Sequence, residues 1–290
     1  MTEILPKNTQ SLPKKLGAYR NNRVLLAALA VTSVAVIGAV LVLAAVVPND
    51  HVEVGFGGRN EDPSSGLWLG TDWLGRDMFA RLVKGLRLSI GVGIAVAILS
   101  VVVATVVAGF SSLGVKAIDR GVNWIINCFL GLPSVVLMLI LAFAFGGGLW
   151  GIVFAVGLST WPHLARVLQA QVLKVRSEGY VMASLRQGRS RPWIAVHHVI
   201  PSLTPHIVVG LATGLPHAIL HEAMLSFLGF GFDPSIPSLG IILNEASRYI
   251  TSGQWWLILW PVVALVGLAV LLDQTGDRLR RVLTPSSSQE

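Results

Sequence analysis

Residues Ser177–Pro201, SEGYVMASLRQGRSRPWIAVHHVIP, form a polar and basic island between long apolar segments. The pattern predicts two short helices on one hinge. Ser177 is placed to cap the first with its hydroxyl, and Glu178 suits the positive end of its dipole. Gly188 ends that helix, because glycine turns left-handed without a Cβ clash. Pro192, which a helix tolerates in its first turn, opens the second helix, and Pro201 closes it. Trp193, Val196 and Ile200 fall on one face at helical spacing, with the arginines mostly elsewhere. So structured a segment reads as a docking element; the plainer alternative is a solvated basic connection that only satisfies topology.

The composition sets that island in a membrane. Of 290 residues, 53% are hydrophobic and 13% charged, far more apolar than an average globular chain. The expected class is an all-α integral membrane protein with about six transmembrane helices, lying in a lipid bilayer. A formal charge of +7 would suggest nucleic acid in a soluble protein; here the cations need only gather on the cytoplasmic face, and no nucleic-acid partner is expected. Cys128 is the one cysteine and lies in an apolar run, so neither an intrachain disulfide nor a thiolate metal site is available.

Along the chain, residues 1–23 read as a cytoplasmic tail and 24–47 as an uncleaved first span, uncharged and long enough to cross hydrocarbon about 30 Å thick. Residues 48–87 read as an extracytoplasmic loop. Residues 88–273 read as the core, with further spans at Leu88–Phe110, Val122–Phe145, Leu149 to about Ala165, Ile207–Phe230 and Trp255–Leu272. Gly131 and Pro133 predict a kink in the third span. The cytoplasmic loop covers 177–205, and 274–290 is a C-terminal tail. With both termini inside, the inner segments carry most of the 22 lysines and arginines. That orientation puts the docking loop in the cytoplasm.

Two polar clusters invite chemistry. Asp72, Arg76 and Asp77 in LGTDWLGRD (Leu69–Asp77) could form an acid–base set, but Gly70 and Gly75 around an amphipathic turn point to a structured lip. His217, His221 and Glu222 lie in the fifth span, where ionisable groups usually face the bundle interior or a wet path. The histidines, four apart, share a helix face, and imidazole suits Ni, Zn or Cu, so a transient metal contact at His217 and His221 is one reading; hydrogen bonds to neighbouring helices are the other. His163, His197, His198 and His206 fall near the cytoplasmic edge. No phosphate-binding G-x-x-x-x-G-K-[ST], no G-x-S-x-G elbow and no H-E-x-x-H occurs, so no catalytic residue is assigned and any ATP hydrolysis belongs to another chain.

The order Ala183-Ser184, three residues, Gly188, then His198-Val199-Ile200-Pro201 resembles the EAA loop of ABC importer permeases, in the version of the dipeptide/oligopeptide/nickel family. Met182 and Ser184 stand where that loop usually has Glu and Ala. LGTDWLGRD, the Leu225–Phe232 stretch SFLGFGF after Leu225, and Gly276-Asp277-Arg278-Leu279-Arg280 with Thr284-Pro285 resemble further segments of the same family, and the likeness runs from about Leu69 to Pro285. It implies the ABC type I importer permease fold and a C-type permease subunit in a prokaryotic plasma membrane. The implied partners are a second homologous permease, two ABC ATPase subunits that bind ATP and Mg, and an extracytoplasmic substrate-binding protein. By the same resemblance Glu178, Tyr180, Ala183, Ser184, Arg186, Gly188, Arg189, His198 and Pro201 form the ATPase-coupling loop. Trp161, His217, His221 and Glu222 are candidates for the translocation path, and the cargo is a peptide, nickel or a metal chelate. The competing class is an ion-gradient-driven secondary transporter or channel, which should carry buried charges in several spans; a scaffold without transport leaves the charge at depth unexplained.

Overall fold

An apolar run inside hydrocarbon must satisfy its backbone polar groups internally, and the helix does so within a single segment. The structure, a computed structural model, describes residues 12–284, with side chains from residue 23 onward. Among the described residues there are ten α-helices and no β-strand: α1 (Leu12–Val46), α2 (Met78–Phe110), α3 (Lys116–Leu130), α4 (Ser134–Ala144), α5 (Gly148–Arg176), α6 (Gly179–Arg186), α7 (Arg191–Ile194), α8 (Ile200–Phe227), α9 (Leu239–Ser247) and α10 (Trp256–Leu283). Five stretches are long and apolar enough to cross a membrane: α1 from Arg23, α2, α5, α7 running into α8, and α10. The pair α3–α4 makes a sixth if it is one broken span.

Several boundaries differ from those read in the sequence, each for a local reason. The kink expected at Gly131 and Pro133 is a break of 92°. Pro133 has no N–H to donate and pushes Leu132 out of the helical region, so the two helices separate instead of bending. α2 starts at Met78, so residues 78–87, expected in the loop, are helical; Asp77 accepts the Phe79 N–H at 2.9 Å as its N-cap. α5 continues past Ala165, through Pro162, to Arg176. α10 runs to Leu283, well into the expected C-terminal tail. Residues 1–11 of the expected N-terminal tail, and Pro285 with the serines after it, lie outside the described residues.

Small residues set the central packing. A Cβ on Gly157 of α5 would come within 2.7 Å of Leu99 on α2, and one on Gly93 of α2 within 2.5 Å of Ile219 on α8. Glycine therefore lets α2 lie against both partners, as membrane interfaces favour. Near the loop end, Ala104, Val122, Trp161, Leu168, Val181, Ile194 and Leu203 belong to one buried cluster that joins α2, α3, α5, α6, α7 and α8. α1 lies at the edge, tied to α10 by the Ser33 and Thr275 hydroxyls at 2.9 Å.

At the opposite end, four charges meet, three buried and Glu245 nearly so. Arg76 donates from Nε to Asp72 at 2.6 Å and from Nη2 to Glu245 on α9 at 2.7 Å. Arg81 of α2 pairs with the same two carboxylates. Asp72 also accepts the backbone N–H groups of Leu74 (2.8 Å) and Arg76 (3.0 Å). Two cations thus meet two anions with most lone pairs filled, the condition under which buried charge is tolerable. The LGTDWLGRD segment is a structured lip, and its acids serve as anchors. Removing one partner of such a set is expected to destabilise by about 3–5 kcal/mol. Glu245→Ala should therefore lower the thermal unfolding midpoint of the purified protein markedly, while Arg76→Met combined with Glu245→Leu should recover much of the loss.

Candidate coupling loop and cavity

The loop is built from local rules that hold in part. α6 ends on a paired turn: Gly188 N–H reaches Leu185 O at 3.0 Å and Arg189 N–H reaches Ser184 O at 3.1 Å. These are the two bonds of a Schellman cap, and Gly188 sits at φ +81°, where a side chain is strained. Ser190 then caps α7 through Trp193 N–H (3.4 Å), and Pro192 lies in its first turn. Ser177 does not cap α6; Glu178 occupies that position without a side-chain bond, and the Ser177 hydroxyl donates back to Lys174 O at 2.7 Å. The chain leaving α5 has already turned there, which aims the hydroxyl at the helix it ends.

Pro201 does not close the second helix. α7 passes through a π-turn at Ala195–Val199 directly into α8, with Pro201 in the first turn of α8. A π-turn widens the ring of each hydrogen bond and so absorbs the donor that proline lacks, where an α-helix would break. Pro205 and Pro216 are likewise carried inside α8.

Side chains knit the two arms. Ser184 Oγ lies 3.1 Å from His198 Nε2, and Tyr180 meets the edge of the same imidazole with ring centres 5.4 Å apart. Trp193 stacks on His197 at 4.3 Å, and the Arg189 guanidinium lies 4.6 Å over the indole. Beneath, Val181 is 1% exposed and Ile194 3%. Removing such an aliphatic side chain from water contributes about 1.5–3 kcal/mol, so α6 is fixed to the body on one face. Tyr180, Met182 and Leu185 are exposed on α6 beside Glu178, Ala183, Arg186 and Arg189, and Met182 and Leu185 border a groove of about 360 Å³ that Val181 and Ile194 also line. Exposed apolar side chains edged by charge are what a protein partner's cleft accepts.

The residues considered for the path separate. His217 and His221 line a cavity of about 490 Å³ bounded by α2, α4, α5 and α8. His163, placed at the cytoplasmic edge in the sequence reading, lines it too, with Ser100, Ser134 and Thr160. It was missed because α5 was ended near Ala165, which puts residue 163 at a rim; the real helix continues to Arg176. His217 Nδ1 donates to Thr213 O, which only accepts, at 2.9 Å. Among the described residues no three His, Cys, Asp or Glu side chains converge as a metal site.

Trp161 and Glu222 are not on the cavity wall. Trp161 is 3% exposed and packs edge-on to Phe129 with ring centres 5.2 Å apart; its indole fills the loop-end core. Glu222 is fully buried and accepts the Ser226 hydroxyl at 2.9 Å, one turn along α8. There α9 presses on α8 so closely that a Cβ on Gly240 would overlap Ala223 O. The carboxylate thus sits in packed protein near Ser226 and Ser89 of α2, away from the cavity. In a Cys128→Ser background, cysteine at His163 or His217 should react readily with a small polar thiol reagent, and cysteine at Trp161 or Glu222 should not; equal labelling would contradict this division.

The arrangement has known counterparts. Residues 100–289 match the family described as "Binding-protein-dependent transport system inner membrane component". The chain is 31% identical over 286 residues to a Brucella suis protein named as a peptide permease, covering 98% of this chain and 94% of that one. It is 31% identical to the dipeptide transport system permease protein of Bacillus subtilis (82% of this chain, 74% of the other) and 30% identical to the nickel transport system permease protein of Escherichia coli K12 (82% and 86%). Among solved structures, inward-facing MetNI methionine ABC transporter superposes with a TM-score of 0.59 at 21% identity, over 71% of this chain and 98% of that one.

Proposed function

The chain belongs to the binding-protein-dependent transport system inner membrane component family, a multi-pass permease family, and on that premise we propose how its parts divide the work of an ATP-driven importer. Permeases of this kind work with an ATPase and a partner permease and are not themselves the ATPase. We assign this chain one second homologous permease, two ATPase subunits that bind ATP and Mg, and an extracytoplasmic binding protein. Both termini lie in the cytoplasm, the α3–α4 pair counting as the sixth crossing. The cargo is a peptide, nickel or a metal chelate, the kinds named for the relatives.

One observation carries the reading: the knitted loop is continuous, through the π-turn, with the helix that lines the cavity. Glu178, Tyr180, Ala183, Ser184, Arg186, Gly188, Arg189, His198 and Pro201 form or brace the surface held by the ATPase. When nucleotide draws the ATPases together, α6 and α7 move with them, α8 follows, and the path past His163, His217 and His221 changes its open side. A gradient-driven carrier has no use for this loop. Nor do the spans offer it a chain of exchanging charges: the buried charges among the described residues are Asp72, Arg76 and Arg81, paired with one another and with Glu245, then Asp77, which caps α2, and Glu222.

Gly188→Pro cannot adopt φ +81° and removes the N–H given to Leu185 O, so it should uncouple nucleotide hydrolysis from uptake in the reconstituted complex. Charge reversal at Arg186 and Arg189 together should act the same way. Survival of ATPase stimulation by loaded binding protein in Gly188→Pro would remove the loop from the transmission. Alanine at His217 and His221 together should lower uptake if the cargo is a metal or its chelate, with assembly intact.

A further inference from the structure

The end of the bundle that holds the charge set also carries a groove that neither the loop nor the cavity explains. It encloses about 570 Å³ between α1, α2, the start of α5 and the Ile236-Pro237 turn. Its walls are Ala44, Leu88, Val92, Leu149, Val153 and Ile236, and its polar rim is Asn49, Lys84 and Arg87. Gly91 opens it further, since a Cβ there would meet nothing within 4 Å. Arg87 is the last charged residue before α2 runs uncharged from Leu88 to its end at Phe110. It is exposed and makes no hydrogen bond or ion pair among the described residues. Lys84 is held by Pro48 O at 2.8 Å and Asn49 Oδ1 at 2.6 Å, which leaves one of its three protons for another acceptor. Trp150, 66% exposed, stands on the same rim at the first turn of α5.

We propose that this groove is a binding site for one anionic phospholipid, with its phosphate on Arg87 and Lys84 and an acyl chain along Leu88, Val92 and Val153. The chemistry favours that occupant over others. A free arginine at the point where an apolar helix enters hydrocarbon calls for an anion at headgroup depth, and the walls below it are apolar, so the ligand must be charged at one end and hydrocarbon at the other. An exposed tryptophan at that level is the usual companion of a headgroup. No carboxylate lines the groove; Asp50 is the acid that acts on Lys84 and is not part of the lining. A soluble anion would gain nothing from the walls, and a zwitterionic lipid would set its own cation against Arg87. The proposal needs only that the chain lies in a bilayer, so it stands apart from the assignment of cargo or partners.

The test is native mass spectrometry of the full-length chain in its assembled complex, with dioleoyl phosphatidylglycerol or dioleoyl phosphatidylcholine added in detergent. The wild type should retain one phosphatidylglycerol at least about fivefold over phosphatidylcholine, the size of effect expected from one basic side chain near a headgroup. Arg87→Gln should abolish the preference, Arg87→Lys should keep part of it, and Arg248→Gln should leave it unchanged. Millimolar inorganic phosphate should not displace the lipid; displacement would mark a simple anion site and overturn the proposal. Equal retention of both lipids, or an unchanged preference in Arg87→Gln, would also overturn it. So would cross-linking of cysteine at Trp150 to a partner subunit with no lipid retained, because the occupant would then be protein.

Discussion

One backbone device governs how this molecule holds together as a machine: the π-turn at Ala195–Val199, which keeps α7 and α8 a single rod despite Pro201. Had the proline ended the helix, the loop would hang from the bundle by a flexible joint and its position would say little about the cavity. Because the turn carries the chain through, Arg191 at the loop, His217 and His221 at the cavity and Ser226 at the far seam lie on one continuous helical stretch. The aliphatic cluster under the loop, with Val181, Ile194 and Leu203, then clamps α6 to the same rod and to α5. A force on the exposed side chains of α6 therefore reaches two cavity-lining helices through packed side chains.

The far end of the rod is restrained by electrostatics. α9 presses on α8 at Gly240 and Ala223, and α9 is itself fastened to the lip and to α2 by Glu245 between Arg76 and Arg81. Trp256, at the start of α10, donates to Thr71 O in the lip at 3.4 Å, so a fourth element joins the same point. Buried ion pairs are uncertain sources of net stability, but they are intolerant of misplacement. That end is thus specified in register by charge, whereas the middle is set by close glycine contacts between α2, α5 and α8.

Local features were legible in the sequence and distant ones were not. Gly188 could be assigned to a left-handed turn because the requirement is met within four residues, and the lip could be recognised from Gly70 and Gly75, which sit at φ +74° and +76°. The partner of Arg76 could not, since Glu245 lies 169 residues away. Proline misled twice in opposite senses: Pro133 breaks the chain by 92° where a kink was expected, and Pro201 breaks nothing. The difference rests on surroundings. Pro133 has a glycine two residues before it, whereas Pro201 follows the π-turn in a helix packed against α2, α5 and α10. His163 illustrates the cost of a misjudged end, because its role depends on how far α5 extends rather than on its neighbours.

The rod is the claim most open to direct measurement. In a Cys128→Ser background, spin labels at Arg191→Cys and Leu228→Cys report its length, and labels at Arg191→Cys and Val31→Cys report its position against α1. Double electron–electron resonance on the assembled transporter, nucleotide-free and ATP-bound, should give one unchanged distance for the first pair and a clear shift for the second. A first distance that changes or splits between the two states, with the second fixed, would mean that the π-turn is a hinge and that the loop and cavity are not mechanically one piece.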